Sequence, residues 1–449
     1  MWNSILRHFQ LYPTRTVSIS FLLVSLLGGG LLHLPMSVNG NPISFLDAWF
    51  TSTSALCVTG LIVVDTGTKF TLFGQVIILF LIELGGLGIM TFSAIFFTLS
   101  GRRLSLSERM IVEGTFLPDV GAQVYSFVKI ILFSTLIIET VGAFLIYIFS
   151  PGKGVFYSIF HSISAFCNAG FSLNRDSFSG YVGNIGVNLT IMSLIVLGGI
   201  GFFLYYEFYR KFYLKEVRKF SLHTKMVISF TTFLIFFGGI VFFLLESGNS
   251  LKGLDLKSKI LASLFQSVTS RTTGFNTVDI GILTPGTLLF LIFLMFVGAS
   301  PGSTGGGIKT TTLGVLYAMA KSKLKGREEV DLFKTTIKRR SIARAFSVIT
   351  ISSLIVFFSV FFILVVEFGF TPYRDIHHHF IEILFEVVSA FGTVGLSTGI
   401  TSTLHPLSRL ILIMVMLTGR VGPLTIAHAV GSRYRRGKFR YAEESVMIG

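Results

Sequence analysis

Four short turns carry the residues of this chain that could do chemistry. Ser54–Gly60 (SALCVTG) returns as Ser164–Gly170 (SAFCNAG), as Ser389–Gly395 (SAFGTVG) and, less closely, as Val268–Gly274 (VTSRTTG). Each is small or apolar at its front, polar near its end, and closed by a glycine. The chemistry on offer is coordination by backbone rather than proton transfer. A closing glycine allows positive φ at little cost, so consecutive carbonyls can leave a helix and point toward a common axis. The expected lining is Val58, Thr59 and Gly60; Asn168, Ala169 and Gly170; Thr272, Thr273 and Gly274; and Thr393, Val394 and Gly395. A ring of neutral carbonyls can replace the water around a weakly hydrated monovalent cation. No turn supplies the carboxylates that selection of a divalent ion by fixed charge requires. One glycine per turn implies a short filter with one good ion site.

The closing glycines are 110, 104 and 121 residues apart (170 − 60, 274 − 170, 395 − 274). A second mark keeps the same beat: Gly85–Gly86, Gly198–Gly199, Gly298 and Gly419 follow them by 25, 28, 24 and 24 residues. Self-similarity at a long, near-constant period sets the architecture. The expected units are residues 1–105, 106–220, 221–330 with an internal gate, and 331–449 with a basic tail.

Those turns need a setting in lipid. Of the 449 residues 51% are hydrophobic and only 13% charged, and the mean hydropathy is +0.75; an ordinary soluble domain carries about 25% charged residues. Apolar runs near 14–35, 70–100, 123–149, 185–210, 224–246, 285–319, 342–368 and 405–430 each supply the roughly 20 residues that a membrane helix needs. Shorter segments near 43–56, 154–166, 257–269 and 376–390 lead into the turns and are too short to span. The fold class expected is an all-α polytopic membrane protein: four repeats of transmembrane helix, re-entrant pore helix with its loop, and transmembrane helix, around a central pore. Irregular backbone at membrane depth is tolerated only when buried in protein or lining a water-filled cavity. The apolar run after Arg7 and Arg15 reads as a first membrane helix rather than a cleaved leader.

The net charge of +15 is unevenly placed: 26 of the 37 Lys and Arg fall in the termini and in the polar loops near 101–129, 209–225 and 321–344. This is the positive-inside pattern. It predicts cytoplasmic termini, turns entering from outside, and no nucleic-acid partner. Cys57 and Cys167 occupy equivalent places and read as small packing residues, without metal-ligand spacing. His377–His379 reads as an outer rim rather than a metal site. Arg271, inside the third turn, is expected to point backward to loop carbonyls or a nearby carboxylate.

The third inner segment is broken by Gly298, Ala299, Ser300, Pro301, Gly302, Ser303, Thr304, Gly305, Gly306 and Gly307, a density of glycine and proline that ends a helix. A small-residue loop midway along a span can block a conduit and move aside. Lys309, just after it, is expected to face the cytoplasmic vestibule. Arg420 falls in the last inner segment, where an ionised residue is costly and usually functional; the two readings are a barrier to a passing cation and a structural pairing with Glu83. No phosphate loop occurs, because the glycines at 305–307 lack Walker spacing and its Lys-Ser/Thr pair. The ionisable groups within the spans are too scattered for a membrane enzyme.

The four turns, Gly298–Thr312 (GASPGSTGGGIKTTT) and Thr418–Pro423 (TGRVGP) together resemble the superfamily of bacterial Trk and Ktr potassium uptake proteins and plant HKT transporters. Eight spans without an added N-terminal pair make the chain more similar to the Ktr membrane subunit. The resemblance implies potassium as the transported ion, since Gly60 stands where some HKT proteins carry serine, and an intramembrane gate at 298–309. It also implies a homodimer in the bacterial plasma membrane, seated on a cytosolic ring of RCK-type nucleotide-binding subunits, with sodium a possible coupling or modulating ion and no organic cofactor. The alternative function is a sodium- or proton-coupled secondary cation transporter.

Overall fold

The computed structural model describes residues 13–88, 124–369, 371–372 and 379–423. The basic tail 433–440, most of the 101–129 loop, His377 and His378 lie outside the described residues. The principal helices are α1 (Pro13–His33), α2 (Phe45–Leu56), α3 (Leu72–Leu87), α4 (Val124–Phe149), α5 (Val155–Phe166), α6 (Ile185–Gly199), α7 (Phe202–Phe208), α8 (Leu222–Glu246), α9 (Leu256–Thr269), α10 (Pro285–Phe296), α11 (Thr310–Leu324), α12 (Arg339–Phe368), α13 (His379–Gly392) and α14 (Pro406–Val421). A two-stranded hairpin, Asp331–Leu332 with Thr335–Thr336, lies between α11 and α12.

Local sequence explains the starts of these helices. Ser44, Asn184 and Ser221 accept hydrogen bonds from the backbone N–H groups of Asp47, Val187 and Thr224 at the mouths of α2, α6 and α8. Thr284 caps α10 in the same way, with Pro285 at the first helical position, where a missing N–H costs nothing. The short helices α2, α5, α9 and α13 have 12, 12, 14 and 14 residues. At about 1.5 Å per residue none crosses a bilayer core of about 30 Å.

Among the described residues three helices are long and apolar enough to cross a membrane: Ser126–Phe149, Leu222–Glu246 and Arg339–Phe368. Their outward faces carry exposed apolar side chains such as Phe133, Phe144, Phe233, Phe236, Phe357 and Phe361. Water would not tolerate such a surface; lipid does. A further candidate is bent. The segment 185–210, expected as one continuous span, turns by 87° between Gly199 and Phe202. The cause is Gly201, at φ +93°, whose missing side chain leaves room for the Pro301 carbonyl, 2.5 Å from where a Cβ would stand. The run 285–319 is likewise two helices, α10 and α11, parted at the break anticipated from its glycines.

The packing is cyclic. Each short helix packs beside the outer helix that precedes it: α1 with α2, α4 with α5, α8 with α9, α12 with α13. Each inner helix packs on the short helix of the next triplet: α3 on α5, α6 on α9, α10 on α13, and α14 back on α2. Small residues make the first contact close. A Cβ on Gly28, Gly142 or Gly238 would run into the hydroxyl of Ser52, Ser162 or Ser267 on the adjoining short helix.

The buried Glu246 carboxylate ties the end of α8 to the start of α10. It accepts from Ser250 N (3.2 Å), Asn249 Nδ2 (2.8 Å), Thr284 N (3.0 Å), Thr284 Oγ1 (3.0 Å) and Thr287 Oγ1 (2.6 Å). Glu246→Ala strands all five donors and is expected to cost about 3 kcal/mol. Thermal unfolding of the detergent-purified protein checks this; an unchanged midpoint would show the donors re-paired.

Candidate functional site

The four turns meet. An ideal Cβ on Gly60 would stand 2.6 Å from the Ala169 carbonyl oxygen and 3.3 Å from Gly170 Cα. One on Gly170 would collide with the Thr273 carbonyl, one on Gly274 with that of Val394, and one on Gly395 with that of Thr59. The contacts run in chain order from first turn to fourth and back to the first. These glycines are required twice over, by that close approach and by φ of +89°, +69°, +88° and +90°.

Two residues before each glycine a second positive φ recurs: Val58 at +50°, Asn168 at +58°, Thr272 at +83° and Thr393 at +49°. For β-branched Val and Thr this conformation is strained and needs the surroundings to impose it. The residue between keeps negative φ, so the backbone alternates in hand through each turn. Among the described residues none of the carbonyls of the expected lining accepts a hydrogen bond. They are acceptors left without a protein donor at the point where the turns converge.

What holds the turns was not visible as chemistry. Ser54 accepts Thr59 N at its carbonyl (2.8 Å) and Gly60 N at its hydroxyl (3.1 Å). Ser389 does the same for Val394 N (2.8 Å) and Gly395 N (3.0 Å). Ser164 takes Ala169 N (2.8 Å) and donates its hydroxyl to Phe171 O (2.8 Å). In the third turn Thr269 O receives Thr273 N (3.0 Å) and Gly274 N (3.4 Å). The counterpart of Ser54 there is therefore Thr269, not Val268, and this turn is one residue shorter. That missing residue is why its likeness to the others is weak in sequence.

The second glycine mark has its explanation. A Cβ on Gly85, Gly198 or Gly419 would strike the carbonyl of Leu56, Phe166 or Phe391, the last or next-to-last residue of a short helix. Gly298 departs, lying against Gly306 O and Thr272 Cγ2 in the break itself.

The break Val297–Lys309 is knitted into its neighbours. Ser300 N and Thr304 N donate to Gly199 O (3.0 Å) and Gly198 O (3.2 Å), and Phe202 N donates to Gly302 O (2.8 Å). Thr304 Oγ1 reaches Phe166 O (3.1 Å), and Gly306 N reaches Thr393 Oγ1 (3.0 Å) in the fourth turn. Ala299 is buried, whereas Pro301, Gly302 and Ser303 are partly exposed. Lys309 Nζ folds back onto Gly305 O (2.8 Å) and Gly306 O (3.2 Å). Arg420 donates to Thr304 O in the break and to Gly85 O, with Gly86 O at 3.2 Å. A single guanidinium thus joins three inner segments.

The anticipated Arg420–Glu83 pairing is absent among the described ion pairs. Glu83 instead gathers with Glu139 and Cys167, whose ligating atoms lie within 4.8 Å of one another and could hold a metal ion. Cys167 Sγ donates to Glu83 Oε2 at 3.5 Å. Cys57 and Cys167 are buried free thiols. Arg271 reaches toward Thr231 O (3.5 Å) and Thr231 Oγ1 (3.4 Å) on α8, and among the described residues it meets no carboxylate. His379 Nδ1 pairs with Glu382 Oε2 at 2.9 Å on an exposed end of α13.

Residues 13–432 match the model of a family described as TrkH, cation transport protein. The chain is 38% identical over all of its length to the Ktr system potassium uptake protein B of Bacillus subtilis, covering 99% of that protein. It is 37% identical to its namesake from Vibrio alginolyticus, over 97% of this chain and 94% of that one. It is 34% identical to the potassium/sodium uptake protein NtpJ of Enterococcus hirae, over 98% of each. Among solved structures it resembles the potassium transporter TrkH of Vibrio parahaemolyticus, at 20% identity and a TM-score of 0.72, over 93% of this chain and 85% of that one.

Proposed function

Since the chain belongs to the TrkH family of cation transport proteins, we propose that it takes up potassium through a pore where its four turns converge. The carrying observation is the closed ring of turns, whose alternating backbone leaves carbonyls without protein donors. Val58–Gly60, Asn168–Gly170, Thr272–Gly274 and Thr393–Gly395 form the selectivity filter in this reading. The four triplets are pore repeats about its axis. Neutral carbonyls suit an ion that sheds its water readily, and potassium sheds its water more readily than sodium.

The segment Gly298–Lys309 is the gate beneath that filter, and Arg420 the electrostatic barrier beside it. The bonds of the break to α6, the fourth turn and Arg420 support a closed arrangement that several small contacts hold. Both termini lie in the cytoplasm of a bacterial cell, and the basic loops face a cytosolic nucleotide-binding partner; the word "system" in two relatives' names supports a further subunit. Two copies assemble, each with its own pore. An inside-negative potential supplies about 2.3 kcal/mol per 100 mV to each entering cation, so no coupled ion is needed.

The name of the Enterococcus hirae relative pairs potassium with sodium, which keeps sodium coupling as the second reading. Rubidium uptake into proteoliposomes with a valinomycin-independent, buffer-imposed negative interior separates the two. Uptake that persists without a sodium gradient supports the pore; uptake that vanishes without one replaces it with a coupled transporter.

A further inference from the structure

One position behind the four turns has a repeated chemistry that the pore reading does not use. Thr51, His161, Gln266 and Glu386 lie 9, 9, 8 and 9 residues before their closing glycines. The one-residue shortfall of the third turn makes them equivalent, and each of the first three directly precedes the serine that meets the outer-helix glycine (Ser52, Ser162, Ser267). All four are buried polar residues on a short helix.

Their bonding differs by unit. His161 accepts Leu173 N at Nε2 (3.3 Å), three residues past Gly170, and that atom also meets Ser172 Oγ (3.1 Å). With Nε2 an acceptor, Nδ1 carries the hydrogen and donates to Tyr157 O (2.8 Å). Glu386 likewise accepts Thr398 N (3.1 Å), three residues past Gly395, together with Ser397 Oγ (2.5 Å) and Thr401 Oγ1 (2.8 Å). Thr51 instead donates within its own helix, to Asp47 O (2.8 Å). Gln266 has no partner at either amide atom among the described residues.

The ring order places the second and fourth turns across the axis from each other. Through this position, among the described residues, one diagonal is tied past its closing glycines and the other is not. We propose that His161 and Glu386 are positioning residues that fix the aperture along this tied diagonal and so set discrimination between potassium and sodium, while Thr51 and Gln266 do not. The proposal rests on the pore reading. A carbonyl ring tells two ions apart by how closely its oxygens can follow the smaller one inward. Tethers on opposite members resist that collapse; a tether on one alone would let the partner move.

The test uses the purified full chain in proteoliposomes and reads sodium inhibition of rubidium uptake. His161→Phe keeps an aromatic ring among Tyr157, Phe178 and Phe275, whose centroids lie 4.0, 5.2 and 6.3 Å away, but removes the acceptor. Glu386→Met removes all three bonds at similar volume. Each is expected to lower discrimination about tenfold, the scale of one net bond to a well-placed acceptor. Glu386→Gln, which keeps an acceptor for Thr398 N, is expected to recover most of the loss. Thr51→Val and Gln266→Met are expected to leave discrimination unchanged. If the core variants do not purify as a single species, Ser397→Ala with Thr401→Val removes two of the three bonds from the loop side, leaves Thr398 N bound, and is expected to show a smaller loss in the same direction. Wild-type discrimination in the tether variants, or an equal loss in Thr51→Val and Gln266→Met, overturns the proposal. A wild-type protein with no preference for potassium would overturn the pore reading instead, before any variant is compared.

Discussion

Arg420→Gln is expected to raise the rubidium uptake rate of reconstituted protein by tenfold or more. Two consequences of the guanidinium point the same way. For a cation passing at an assumed separation of about 8 Å, with an effective dielectric near 20, its charge repels by about 2 kcal/mol, or about 30-fold in rate. Its hydrogen bonds to Thr304, Gly85 and Gly86 carbonyls also hold the break against the first inner helix, so losing them frees the proposed gate. Glutamine keeps one donor group and removes the charge. Arg420→Lys keeps the charge but not the forked geometry that reaches two segments at once, and is expected to fall between. Unchanged uptake per intact reconstituted protein, together with a fall in the yield of the intact species, would assign Arg420 to assembly and remove it from the ion path.

The second large effect is Gly395→Ser, which is expected to abolish the preference for potassium. Serine at φ +90° pays about 1–2 kcal/mol for left-handed backbone. Its Cβ also meets the Thr59 carbonyl and lies 2.9 Å from Gly60 Cα. Those are backbone atoms of the adjoining turn and cannot swing away as a side chain would. The ring must open, and its oxygens with it. Gly399→Ser supplies the control: its φ is +100° but nothing lies within 4 Å of the added carbon, so only dihedral strain is added. Calorimetric binding of potassium against sodium checks both. Intact selectivity in Gly395→Ser would take the fourth turn out of the filter.

Legibility in the sequence followed how local each determinant is. The closing glycines could be read because positive φ is a property of one residue. The break at 298–307 could be read because glycine and proline end a helix wherever they stand. The sharp turn at Gly199–Phe202 could not, since Gly201 is bent by a carbonyl a hundred residues away, on Pro301. The same holds for Ser54, Ser164 and Ser389: a serine at the front of a turn is an ordinary small residue until it is seen holding the turn's own amides. Arg420 and Lys309 were each conspicuous as charges among apolar neighbours, yet long flexible side chains choose partners by position. Both took carbonyls of the break, and Glu83 went to Cys167 instead.

The amino-acid sequence by itself determined a lipid-facing chain, a four-part beat and the places where helix must give way to glycine turn. These follow from composition, period and single-residue backbone preference, none of which needs a distant partner. The tertiary structure alone decided that the turns close into a ring, that the third is a residue short, and that, among the described residues, the position of His161 and Glu386 reaches past the closing glycine in the second and fourth turns but not in the first and third. Those depend on which carbonyl arrives beside which glycine, and that is settled by packing between segments about a hundred residues apart.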